Sequence, residues 1–184
     1  MRSPHSGTLS FSSAISSSPA KPAKKSLPIS LSGVKILHCS TLDLALLKRY
    51  CDSMELAPVV AQQLVNEALK AQERAYAPYS KFPVGAALLA EDGRVFRGCN
   101  VENASFGLTT CAERNALAAA VVAGARPLAI AVVGNQHDLL PCGACRQVLA
   151  EFNPDLVVVT RSSAGVLTTR VLRQLLPEAF TLAP

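Results

Sequence analysis

Two short segments constrain any fold this chain can adopt. Thr110-Cys111-Ala112-Glu113-Arg114 opens an Ala-rich helical pattern that runs to Gly124. About thirty residues later, Pro141-Cys142-Gly143-Ala144-Cys145-Arg146 opens a second helical pattern. Cys142 and Cys145, three apart at a helix start, lie on one face and can share an ion. Cys111 also stands at a helix start. Helix N-termini favour anions, so both helices would aim positive ends at the cysteines and favour their thiolates. Three cysteine ligands leave a fourth position open, which is the arrangement of a catalytic zinc rather than a structural one. A redox pair, or half of a structural zinc ribbon, competes as a reading of the Cys-x-x-Cys, but the second Cys-x-x-Cys that a ribbon needs is missing.

The other cysteines are Cys39, Cys51 and Cys99. An even total of six admits disulfides, but that framework belongs to small secreted domains. No apolar core follows the basic N-terminus as a signal peptide would require. Metal binding by reduced thiolates is therefore the better reading for Cys111, Cys142 and Cys145. Glu113 lies two residues from Cys111, close to a metal without being forced to bind it. Beside an open position it is a natural proton carrier; otherwise it is an ordinary helix glutamate. Three thiolates on Zn²⁺ leave a net negative site, and a neighbouring cation would offset this. Arg114 is the candidate, with an exposed helix arginine as the plain alternative.

The charge is unevenly placed. Residues 1–53 hold seven Lys/Arg and two acids, whereas residues 54–184 hold eleven of each. A domain that grips a polynucleotide shows a basic surface. With no surplus charge over residues 54–184, a small uncharged substrate is expected. Residues 1–40 contain twelve Ser and four Pro and no acid. Such a segment buries too little apolar surface to offset its ordering entropy. It reads as an organelle transit peptide, a plain disordered tail, or a stretch upstream of a true start at Met54. Thr41 could cap a short helical turn. Cytoplasmic residence is expected, with organelle targeting through residues 1–53 as the alternative. No apolar run reaches the roughly 18 residues of a membrane span.

Over Pro58 to Tyr76 the apolar residues recur at helical spacing, with Pro near the first turn. Val84–Ala90 and Val95–Val101 flank Glu91-Asp92-Gly93-Arg94, an Asp-Gly turn signal, and predict a β-hairpin. Helices follow over Ala112–Ala123 and Gly143–Phe152, and buried strands over Pro127–Gly134 and Leu156–Thr160. An edge strand over Val166–Thr169 and a short helix over Val171–Leu176 close the chain. The order α-β-β-α-β-α-β-β-α predicts an α/β fold. It would be a three-layer α/β/α sandwich with a mixed sheet of about five strands.

The two cysteine segments, with Phe82-Pro83-Val84-Gly85-Ala86-Ala87-Leu88 and Asn100-Val101-Glu102-Asn103 upstream, resemble the small homotetrameric three-cysteine cytidine deaminases. The similarity runs from about Pro58 to Phe180 and leaves out residues 1–53. The resemblance implies one Zn²⁺ per subunit on Cys111, Cys142 and Cys145, with water as fourth ligand. The zinc would make that water a hydroxide near neutral pH. Glu113 would take its proton and deliver it to N3 of the pyrimidine, hydroxide would attack C4, and Glu113 would protonate the departing amine. Ammonia and uridine would result; zinc deaminases of nucleobases share this division of labour. Asn100 and Glu102, two apart at a strand end, would point to the same side and meet the ribose, chiefly its 3′-hydroxyl. Phe82 would stack on the pyrimidine, and Ala112 would line the substrate. Phe106, where relatives often carry Tyr, and Phe180 would reach a neighbouring subunit's pocket.

The implied function is deamination of free cytidine and deoxycytidine in pyrimidine salvage. The implied partners are a nucleoside and three further copies of the chain, with neither membrane nor nucleic acid. Three rivals carry different expectations. A blasticidin-type deaminase shares Pro-Cys-Gly-x-Cys-Arg-Gln, but the Asn-x-Glu-Asn segment argues against it. An RNA-editing deaminase is opposed by the neutral domain. An inactive zinc-stabilised scaffold is opposed by Glu113, because a scaffold needs no proton carrier.

Overall fold

The computed structural model describes residues 56–182, and these belong to one compact unit. The expected tail over residues 1–53, the turn capped by Thr41 and the start at Met54 lie outside the described residues.

Helix α1 (Pro58–Gln72) begins with Pro in its first turn and buries Val60, Ala61, Leu64, Val65, Ala68 and Ala71. Their spacing makes one apolar face. The helix was expected to reach Tyr76 but stops at Gln72. Beyond it the backbone is recruited elsewhere: Tyr76 N–H donates to the Asn100 carbonyl, and the Tyr76 carbonyl accepts from Glu102 N–H. Strands β1 (Val84–Ala90) and β2 (Val95–Cys99) form the predicted hairpin, with Leu89 opposite Val95. Gly93 takes a φ of 84° at the turn, a conformation open to glycine at no steric cost. Strand β2 ends two residues earlier than expected, because Val101 instead makes isolated bridges to Tyr76 and Thr110.

A short 3₁₀ turn (Phe106–Leu108) precedes α2 (Ala112–Val122). Then come β3 (Pro127–Gly134), α3 (Gly143–Ala150), β4 (Val157–Arg161), β5 (Leu167–Val171) and the single turn α4 (Leu172–Leu175). The sheet order is β2-β1-β3-β4-β5. Among the described strands, β3 and β4 pair in parallel, joined through α3, and the other strand pairs are antiparallel. The expected mixed five-stranded sheet between helical layers is present.

Alternation along β3 divides the core. Ala129, Ala131 and Val133 face α1, beside Leu64, Val65, Ala87 and Leu89. Ile130 and Val132 face α2 and α3, beside Ala116, Leu117, Leu88 and Leu149. The order of elements then places the site. Helix α2 returns to the start of β3 through only a few residues, and α3 leaves from the end of β3. Both helices therefore begin at the carboxyl end of β3, where α/β sheets commonly bind ligands.

Candidate active site

Cys111 and Cys142 occupy equivalent places, each the residue at the N-terminal boundary of its helix, with extended backbone (ψ 155° and 167°). Cys145 lies in the first turn of α3 and is fully buried. The three Sγ atoms all fall within 4.8 Å of one another. Thiolates at the usual zinc–sulfur distance would stand about 3.8 Å apart around a tetrahedral ion. The donor set, its spacing and its position at two helix N-termini fit zinc. The Cys145 thiol, donating toward the Cys111 sulfur, pushes the Cys111 pKa down to about 5, and the Arg114 guanidinium adds to this. Cys145 is correspondingly pushed up by that shared proton and by burial. Metal ligation requires the thiolate, which the lowered pKa of Cys111 favours.

Glu113 is only 4% exposed although it lies in the first turn of α2. Burial raises its pKa above the ordinary carboxylate range, and the negative Cys111 adds to the effect. A carboxyl that holds its proton more readily than usual suits proton transfer near neutral pH. Arg114 extends back from α2. Its Nη2 donates to the Thr109 carbonyl at 3.1 Å and lies 3.7 Å from the Cys111 sulfur. The cation that the sequence placed near the thiolates is therefore beside one of them.

Ala112 is fully buried, against the hairpin. Its carbonyl and the Ala116 amide crowd Gly98 so closely that a Cβ there would sit 2.3 Å and 2.4 Å from them. Gly98 is thus a positioning residue for α2 that spacing alone did not reveal. Its only signal was a glycine within a strand, which marks close backbone approach.

Asn100, Glu102 and Phe82 come together in one loop system. Asn100 is 9% exposed. Its Nδ2 donates to the Phe82 carbonyl at 3.0 Å and its Oδ1 accepts from Val84 N–H at 2.8 Å. Glu102 Oε2 accepts from the amides of Tyr79 (2.8 Å) and Ser80 (3.2 Å). The Phe82 ring packs over Gly134 at the end of β3, where it would touch an added Cβ. Phe106 and Phe180 are 73% and 69% exposed. Phe106 stacks edge-on to Tyr79, with centroids 5.9 Å apart. Phe180 is held by its backbone, with Gln147 donating to its carbonyl and accepting from its amide. Neither Gln147 nor Ser80 was singled out from the sequence. A cavity of about 580 Å³ lies elsewhere, lined by Lys70, Arg74, Arg97, Cys99 and Asn115, and holds none of the cysteine trio. Among the described residues no helix is long and apolar enough to cross a membrane.

An α/β/α sandwich that gathers three thiols and a buried carboxyl at two helix N-termini is built as a metal-dependent hydrolytic site. The model of one family, described as the cytidine and deoxycytidylate deaminase zinc-binding region, matches residues 59–161. The chain belongs to that family, and is an enzyme of the zinc-dependent deaminase class. It is 50% identical over 123 residues to the cytidine deaminase of Sporosarcina psychrophila, covering 65% of this chain and 90% of the relative. The cytidine deaminase of Halalkalibacterium halodurans is 53% identical over 123 residues, covering 65% and 93%. Among solved structures, cytidine deaminase from Burkholderia pseudomallei matches with a TM-score of 0.62 and 53% identity, covering 65% of this chain and 98% of that one.

Proposed function

We propose that the chain hydrolyses the exocyclic amine of free cytidine and deoxycytidine, giving uridine or deoxyuridine and ammonia, as a step of pyrimidine salvage. The observation that carries this reading is Glu113, a buried carboxyl of raised pKa two residues from Cys111, which is one of three clustered thiols. Zinc held by Cys111, Cys142 and Cys145, one ion per subunit, would supply Lewis acidity and make water a nucleophile at neutral pH. The protein's own part is to move protons and to orient the nucleoside. Glu113 accepts a proton from the attacking water and passes it to N3 of the pyrimidine, then takes the second proton from the new C4 hydroxyl and gives it to the departing amine. Water adds its oxygen at C4 and the C4–N bond breaks, so cytidine and water balance uridine and ammonia. Arg114 offsets the thiolate charge. Phe82 offers its ring to the base, Ala112 lines the pocket, and Asn100 and Glu102 face the ribose.

Relatives at 50–53% identity that bear the name cytidine deaminase support the substrate. The neutral balance of residues 54–184, which we take as the catalytic domain with residues 1–53 outside it, argues against a polynucleotide. The exposure of Phe106 and Phe180 supports a homotetramer in which neighbouring copies cover them and complete each pocket. Purified protein with measured zinc content should convert cytidine and deoxycytidine to the uracil nucleosides, read by ammonia release. Light scattering should give four chains per particle. A folded, zinc-loaded protein inert on both nucleosides would overturn the substrate, and an active monomer would overturn the shared pocket.

A further inference from the structure

The loop from Tyr79 to Val84 is held from two sides, and one small side chain joins them. On one side the Asn100 carboxamide bridges Phe82 and Val84. On the other, Glu102 Oε2 collects the Tyr79 and Ser80 amides. The Ser80 hydroxyl belongs to both. It stands beside the Glu102 carboxylate and favours the ionised form of that group ahead of every other neighbour. It also accepts from Phe82 N–H at 3.0 Å. Between Ser80 and Phe82, Lys81 takes a φ of 57°, a left-handed conformation that a lysine rarely adopts unaided. That turn brings the Ser80 hydroxyl to the amide two residues on, as a short Ser side chain can.

We propose that Ser80 is a positioning residue for sugar recognition, its hydroxyl fixing the Glu102 carboxylate in the orientation that receives the nucleoside 3′-hydroxyl. The inference rests on the nucleoside reading above. Without the Ser80 hydroxyl, Phe82 N–H loses its acceptor, and the turn that presents the Tyr79 and Ser80 amides to Glu102 holds the carboxylate less firmly. Both amide bonds land on Oε2, so Oε1 is the oxygen whose direction is then least determined. A hydrogen bond to a charged group counts only when its geometry is held.

The test compares parent protein, Ser80→Ala and Ser80→Thr on cytidine and on 3′-deoxycytidine, which lacks the hydroxyl in question. Ser80→Ala should raise KM for cytidine about tenfold, the low end for one hydrogen bond to a charged group, with kcat within about twofold. KM for 3′-deoxycytidine should move less than about threefold, because it makes no such bond to lose. Ser80→Thr, which keeps the hydroxyl, should restore the parent values. If Ser80→Ala does not fold, Ser80→Cys, of similar size and a weak donor, is read on the same two substrates. An equal rise in KM on both nucleosides would overturn the proposal, since it would mean general loosening of the loop. So would no change on either, or a threonine variant as poor as alanine. A parent inactive on cytidine would instead refute the functional reading, so the two failures are distinguishable.

Discussion

Gly98→Ala is the substitution whose cost follows most directly from the packing. Gly98 sits in β2 opposite Ala86, and its missing side chain would point at the first two turns of α2. An added methyl would lie 2.3 Å from the Ala112 carbonyl oxygen and 2.4 Å from the Ala116 nitrogen. Comfortable contact for a carbon is about 3.5 Å, so helix and strand must separate by roughly 1 Å. Neither obstacle is a side chain that can turn away. Overpacking typically costs about 1–3 kcal/mol, and a backbone-to-backbone clash belongs at the upper end. At about 3–5 °C per kcal/mol for a domain of this size, the melting temperature should fall by about 10 °C. The displaced turn carries Cys111 and Glu113, and a misplacement of about 1 Å can cost about a hundredfold in rate. Urea unfolding, zinc content and the initial rate on cytidine read the three consequences. An alanine variant with the parent's midpoint, metal content and rate would refute the close approach of α2 to β2.

Two further outcomes follow from the charges around the site. Arg114→Met removes the guanidinium 3.7 Å from the Cys111 sulfur and should weaken zinc binding about tenfold, measured by competition with a chromophoric chelator. Unchanged affinity would show that the arginine does not act on the thiolates. The Ser80 hydroxyl, followed by the Tyr79 and Ser80 amides, holds Glu102 below the usual 4.5. The ionised form is the bonded one, so its contribution is complete above about 4.5 and is lost only as pH falls through the lower folded value. The KM preference for cytidine over 3′-deoxycytidine should therefore stay flat from pH 7 down to about 4.5, a range in which titrations common to both substrates cancel. A preference already lost at pH 6 would contradict this assignment.

Local chemistry made much of this legible in sequence. The Asp-Gly turn specified the hairpin, the apolar run over Pro127–Gly134 specified the central strand, and three cysteines at helix starts specified the cluster. Elements went astray where a distant partner decides. Helix α1 stops at Gln72 because residues 100–102 take the Tyr76 backbone, and helical periodicity carries no trace of that pairing. The end of β2 shifted for the same reason. Asn100 and Glu102 were legible as a pair on one side, but not their hold on the Tyr79–Val84 loop, which depends on a left-handed Lys81. Gly98 carried a glycine's ambiguity until α2 was seen against it. The Gln147–Phe180 pairing joins residues 33 apart with no spacing rule to suggest it.

In the proposed reaction Glu113 moves the protons while three cysteines hold the metal. Glu113→Gln keeps the shape of the buried side chain and removes its acid, leaving the thiols intact. Zinc content and uridine formation from cytidine should be measured on the same preparation beside the parent. Zinc content should be full and the rate at least about a hundredfold lower, the usual scale of general acid–base catalysis. A zinc-loaded Glu113→Gln protein that deaminates cytidine at the parent's rate would contradict this role of Glu113.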